Sequence, residues 1–87
     1  MKTDIFLNRY PSVDLHGLDR DSARMVTNDF VSENLFLKNE TIVIIHGIGM
    51  GIVKNACHEA LRVNKNVISY KTDNFNSGCT IVKLNVN

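Results

Sequence analysis

Three glycines alternate in His46-Gly47-Ile48-Gly49-Met50-Gly51, behind the aliphatic run Thr41 to Ile45 and ahead of a helical pattern that opens at Ile52. Alternating glycines let the backbone turn tightly and approach a ligand closely, and a helix start behind them leaves N–H groups unpaired with partial positive charge. Such a loop suits an anion. Lys54, in the first helical turn, adds a point charge for a phosphate held there. The GxGxG spacing meets neither the dinucleotide pattern GxGxxG nor the P-loop pattern, and the alternative is a glycine-rich turn that holds no ligand.

Asp14-Leu15-His16 carries the second signal. On a strand, residues two apart share a face, so a carboxylate and an imidazole there can act as acid and base or bind a hard metal together with water. The competing reading has Asp14 capping a turn and His16 bonded to backbone. A third group, Lys54, His58 and Arg62, recurs at i, i+4, i+8 on one helix, and reads either as a stripe that tracks a nucleic-acid backbone or as a solvated face.

The elements that must position these residues follow from periodicity. Val13 to His16 alternates apolar and polar as a strand, and Gly17 ends it. Asp19 is a fitting N-cap for a helix to about Lys38, with Ala23, Val26, Phe30 and Leu37 along its buried side. Thr41 to Ile45 is β-branched without alternation, the pattern of a strand covered on both faces. A second helix spans Ile52 to Asn64, burying Val53, Ala56, Cys57, Ala60 and Leu61. Val67 to Lys71 and Cys79 to Val86 are strands joined by a turn-rich loop, a short link that predicts an antiparallel pair. Residues 1–12 are an N-terminal arm, with a short strand or extended stretch over 4–8 broken at Tyr10-Pro11.

The order β-α-β-α-β-β predicts an α/β fold in the form of a two-layer α+β sandwich on a mixed four-stranded sheet. In a parallel β-α-β unit the carboxyl ends of both strands lie on one sheet edge, so Asp14-His16 and His46-Gly47 should open into one cleft.

Eighty-seven residues allow one small core and leave little material for a separate substrate domain. The net charge of +1 announces no strong field, but it combines +1 over residues 1–13 and −3 over residues 14–40 with +3 over residues 41–87, which places any nucleic acid toward the second half. Cys57 and Cys79 match no redox or zinc spacing and read as reduced core thiols of a cytoplasmic protein. No export signal or membrane-length apolar run is visible, so no membrane partner is expected.

Taken together, Val13-Asp14-Leu15-His16-Gly17-Leu18, Ile44-Ile45-His46-Gly47-Ile48-Gly49-Met50-Gly51 and Gly78-Cys79-Thr80-Ile81-Val82 closely resemble the Smr (small MutS-related) domain over about residues 13–84. The resemblance implies a domain over 13–87 with a fold similar to the C-terminal domain of translation initiation factor three. It also implies an endonuclease that cleaves or nicks RNA or branched DNA, in DNA recombination and repair or at stalled ribosomes. RNA is slightly favoured, because the ribosome-linked activity of the family needs no ATPase domain in the same chain. Carried over by motif, Asp14 and His16 are the candidate catalytic pair, and His46, Gly47, Gly49 and Gly51 form the candidate phosphate-binding loop with Lys54 in the basic position after it. His46 is also a candidate catalytic residue in the endonuclease reading, and His58 and Arg62, from their helical spacing, are candidate nucleic-acid contacts. A divalent metal such as Mg²⁺ or Mn²⁺ would fall to Asp14 and His16. The alternative is a non-catalytic module for nucleic acid or a ribosome surface, directed by a recruiting protein. Two departures stand out: Ile48 and Met50 are apolar where the family often carries Lys and a small polar residue, and Phe75-Asn76 replace glycines, which predicts a stiffer last loop.

Overall fold

The computed structural model describes residues 9–49 and 51–87; the strand or arm expected over 4–8, and Met50, lie outside the described residues. The elements run β1 (Ser12–Asp14), α1 (Arg20–Phe36), β2 (Thr41–Ile45), α2 (Ile52–Val63), β3 (Val67–Thr72) and β4 (Cys79–Leu84). They form one mixed four-stranded sheet in the order β1-β2-β4-β3. β1 and β2 pair in parallel with Asp14 opposite Ile45, whereas β4 runs antiparallel to both of its neighbours. The α2 crossover therefore skips one position, and the last strand fills the gap.

Alternation along the strands divides the sheet. Ile42 and Ile44 of β2 and Val82 and Leu84 of β4 join Leu15, Ala23, Val31, Ala56, Cys57 and Leu61 in the main core against the helices. Val43 and Cys79 point to the other face with Tyr10, Ile45 and Ile81. Burying an aliphatic side chain of this size contributes about 1.5–3 kcal/mol, so the ten residues of the main core are the principal stabilising term. The cysteines are core thiols, as the sequence suggests, and burial pushes the Cys57 thiol up to about 11, which keeps it protonated.

Helix α1 departs from its expected stripe. It buries Ala23, Thr27, Val31 and Asn34, while Val26 and Phe30 only border the core. The two polar members are satisfied within the helix layer: Thr27 Oγ1 donates to the Ala23 carbonyl at 2.7 Å and Asn34 Nδ2 to the Phe30 carbonyl at 2.8 Å. Leu37, expected on the buried side, is 55% exposed, because the helix stops at Phe36 and Lys38 turns to a left-handed φ of 62°.

Candidate functional site

Two strand-to-helix corners meet on one edge of the sheet. The first runs from β1 through Leu15-His16-Gly17-Leu18 to Asp19 and α1. The second runs from β2 through His46-Gly47 and the glycine loop to Gly51 and α2. Parallel pairing sets the two strand ends side by side, and Leu15 N donates to the Ile45 carbonyl at 2.7 Å. Between the corners lies a cavity of about 660 Å³ whose lining includes His16, Arg20, Gly47, Ile48, Ile52 and Lys54. The loop after β3 closes its far side through Asn76 and Gly78.

At the first corner β1 ends at Asp14, two residues earlier than a strand reaching His16 would. The Asp14 carboxylate accepts from the His16 backbone N–H at 2.8 Å, and Leu18 N closes the turn on the Leu15 carbonyl at 3.1 Å. The strand face that Asp14 and His16 were expected to share is therefore replaced by a turn that Asp14 caps, which is the Asp14 half of the competing reading of that spacing. His16 is exposed and reaches the cavity wall, whereas Asp14 does not line it. Among the described residues, no group of three His, Cys, Asp or Glu side chains could hold a metal ion. Asp14 spends its carboxylate on the His16 backbone N–H and stays off the cavity wall that the His16 ring reaches, so the two do not converge on a Mg²⁺ or Mn²⁺ ion.

At the second corner His46 is buried, with both ring nitrogens engaged. Nδ1 bonds the Gly47 carbonyl at 2.9 Å and Nε2 meets Thr80 Oγ1 at 2.7 Å. Burial, and secondarily the Lys54 charge, hold its pKa below the ordinary value against the opposing bond to Gly47. His46 thus lines the cavity from beneath the loop with both ring nitrogens already bonded, so that one of these bonds would have to open before the ring could act as an acid or base. Gly47 takes a left-handed φ of 81°, and its Cα hydrogen faces the His16 ring: a Cβ there would lie 3.6 Å from His16 Nδ1. The loop is clamped from β4's side, since His46 N and Gly47 N both donate to the Gly78 carbonyl at 2.8 and 3.0 Å. A Cβ on Gly78 would come within 3.4 Å of the Gly47 backbone, which explains a glycine just before the Cys79-Thr80 strand.

The two helix starts differ. Asp19 caps α1 by accepting from Ser22 N at 2.7 Å, a bond that holds its carboxyl below the usual range. Gly51, at φ 84°, begins α2 with no side-chain cap, so the first amides of α2 stay available beside Lys54. Gly47, Gly49, Gly51 and Lys54 all line the cavity.

The basic stripe is only partly a stripe. Arg62 is exposed, but His58 turns inward: its Nε2 meets Thr80 Oγ1 at 2.8 Å, and its ring packs edge-on against Tyr70 and His46 at centroid separations of 5.0 and 5.8 Å. It flanks the buried face of α2 and therefore does not lie in a solvated row with Lys54 and Arg62. Sequence reasoning missed Thr80 as a site residue. Its signal was available in the β4 alternation, which places Thr80 with Val82 and Leu84 on the helix side, where a hydroxyl needs a partner. The last loop is tied within itself: Asp73 Oδ2 accepts from Asn76 N at 2.9 Å and Asn76 Oδ1 from Gly78 N at 3.0 Å.

A two-layer α+β domain whose parallel corners pair an open imidazole with an uncapped glycine loop is the class of molecule defined so far. The chain belongs to the Smr domain family, whose profile matches residues 13–85. It is similar to the Endonuclease MutS2 of Clostridium acetobutylicum, 36% identical over 76 residues that cover 84% of this chain and 10% of that protein. The MutS2 of Clostridioides difficile is 35% identical over 75 residues, covering 83% of this chain and 10% of that protein. The chain thus spans about a tenth of the length of the curated relatives it matches. Among solved structures, the Smr domain of Thermus thermophilus MutS2 superposes with a TM-score of 0.81 at 32% identity, covering 85% of this chain and 96% of that one. YdaL, a stand-alone small MutS-related protein from Escherichia coli, gives 0.80 at 25% identity, covering 86% and 66%. Among the described residues, no helix is long and apolar enough to cross a membrane.

Proposed function

We propose that the cleft binds the backbone of a nucleic acid and cleaves a phosphodiester bond there. The observation that carries this reading is that one cavity joins an uncapped helix start, a glycine loop and Lys54 on one side with the exposed imidazole of His16 on the other. The loop amides and Lys54 Nζ hold the non-bridging oxygens of a phosphate. His16 accepts the proton of the attacking hydroxyl, from water or from a ribose 2′-OH, as that oxygen bonds phosphorus and the bond from phosphorus to the leaving ribose oxygen breaks. The leaving oxygen takes its proton from solvent, and Asp14 fixes the turn that aims His16. The relatives named as endonucleases support this assignment of chemistry. Arg62 lies about 12 Å along α2 from Lys54 and meets a phosphate farther along the strand.

Leu18, Ile45, Ile48, Ile52 and Val53 make the walls largely apolar, and a concave apolar wall suits an unpaired strand better than a duplex, whose bases are stacked away from its convex backbone. Single-stranded RNA and the unpaired arms of branched DNA both meet that condition. A second reading, binding without cleavage, is favoured by one observation: with His46 tied beneath the loop, His16 is the imidazole left open to act, whereas acid–base cleavage ordinarily uses two groups. Recruitment to a ribosome or by a protein partner is compatible with either.

The test incubates labelled single-stranded RNA, duplex DNA and branched DNA with the protein, His16→Ala and Asp14→Ala, in Mg²⁺, Mn²⁺ or chelator. Cleavage that disappears in His16→Ala supports the nuclease. Binding without cleavage supports the module. If no substrate is bound, both readings fail. The metal arms report whether a cation carried by the substrate's own phosphates is needed.

A further inference from the structure

Four groups beneath the glycine loop form a chain whose hydrogens can be assigned. The Gly47 carbonyl can only accept, so His46 Nδ1 carries a proton and donates to it at 2.9 Å. In the neutral ring Nε2 is then an acceptor, and the Thr80 hydroxyl donates to it at 2.7 Å. Thr80 has one hydroxyl proton and has now given it, so its oxygen accepts from His58 Nε2–H at 2.8 Å. The chain runs one way, from His58 through Thr80 and His46 to Gly47. Thr80 is fully buried, so water does not replace either of its bonds.

The end of the chain bears on the cleft. In a trans peptide the C=O and the following N–H point in opposite directions, so pinning the Gly47 carbonyl on His46 turns the Ile48 N–H away from that ring. We propose that Thr80 and His58 are positioning residues of the glycine loop, fixing through His46 the peptide plane that presents the Ile48 amide to an anion. This rests on the anion-binding reading of the cleft for its purpose, but not for its geometry. Lys54 of α2 is the neighbouring charge that acts on both imidazoles, and β3 contributes the Tyr70 ring against His58. Burial keeps both rings in the neutral state that the chain requires.

Three variants test the chain: Thr80→Val, which keeps the shape and removes the hydroxyl; Thr80→Ser, which restores it; and His58→Gln, which keeps an N–H donor and cannot titrate. Two ligand-free readouts come first. Histidine ¹⁵N NMR at pH 7.5 should show His46 protonated on Nδ1 and His58 on Nε2, and Thr80→Val, checked for folding by circular dichroism, should speed amide exchange at Ile48 and Gly49. A His46 ring protonated on Nε2, or unchanged exchange in folded Thr80→Val, overturns the proposal. Affinity for a labelled single-stranded oligonucleotide should then fall about tenfold in Thr80→Val and less than about twofold in Thr80→Ser. His58→Gln, which keeps the donor to Thr80, should leave amide exchange at Ile48 and Gly49 slower than in Thr80→Val; exchange as fast as in Thr80→Val counts against His58. If the wild type binds no oligonucleotide, the proposed function fails while the NMR readouts still decide the chain.

Discussion

The two corners are built from the same pieces and put to opposite uses. Each parallel strand is followed by a His-Gly pair, His16-Gly17 and His46-Gly47, and both glycines sit at nearly the same left-handed φ, 83° and 81°. At the first corner the helix start is closed by Asp19 and the imidazole is left open. At the second the helix start is open and the imidazole is closed in by Thr80 and the Gly47 carbonyl. One corner can offer a reactive ring and the other an anion cradle, so the identity of a dipeptide does not decide its role. What lies under the strand end does: Thr80 of β4 reaches the β2 corner, because β4 pairs with β2 and not with β1.

The largest effect expected from this comparison separates the two histidines. His16→Ala should lower cleavage by about 10²–10⁴-fold while changing stability by less than about 0.5 kcal/mol, as read by a nuclease assay beside urea unfolding. His46→Ala should do the reverse in kind, costing about 2–4 kcal/mol in the same unfolding experiment, since it empties a buried site and strands the Thr80 hydroxyl. Equal stability losses in the two variants would erase the distinction between the corners. Gly17→Ala and Gly47→Ala should each cost about 1 kcal/mol, because both need a left-handed backbone and neither added methyl meets a clash. A much larger loss at Gly47 would mean that the second corner is the more tightly packed.

Acidity should affect the two corners unequally as well. His46 and His58 have folded pKa values lowered from 6.5, so the unfolded chain binds more protons than the native one below that value. Stability from these rings is present above about pH 6.5 and declines as pH falls through their lowered values. Unfolding curves from pH 7.5 downward should show this decline, and His58→Gln should reduce it. The smallest effect is expected outside both corners: Arg24→Ala removes the 2.9 Å ion pair to Glu59 between the helices, is half exposed, and should cost under about 1 kcal/mol.

The element order was legible because each segment carries its own period, and the convergence of the two corners followed from parallel pairing. The strand order was not, since nothing local to Cys79–Leu84 says that it enters between β2 and β3. The His16 loop was misread as strand because alternation in Val13-Asp14-Leu15-His16 is satisfied equally by a strand that ends at Asp14 and a capped turn. His58 was misread for a geometric reason: residues at i, i+4, i+8 drift around a helix of 3.6 residues per turn, so one member of a polar row can sit at the edge of the buried face. Lys54 and the glycines were read onto the cavity wall because strand, loop and helix start follow one another in sequence. The Thr80 partnership joins residues 34 and 22 positions apart and has no spacing to betray it.

The central place of β4 also sets an order of events. It is translated after the other five described elements, yet it supplies Thr80 beneath one corner and follows directly from Gly78, which clamps the loop above it. A nascent chain that has released β1 through β3 from the ribosome still lacks the middle of its sheet and the support of its cleft. The cleft is therefore completed together with the fold, and a partly synthesised chain carries its pieces without the assembled site.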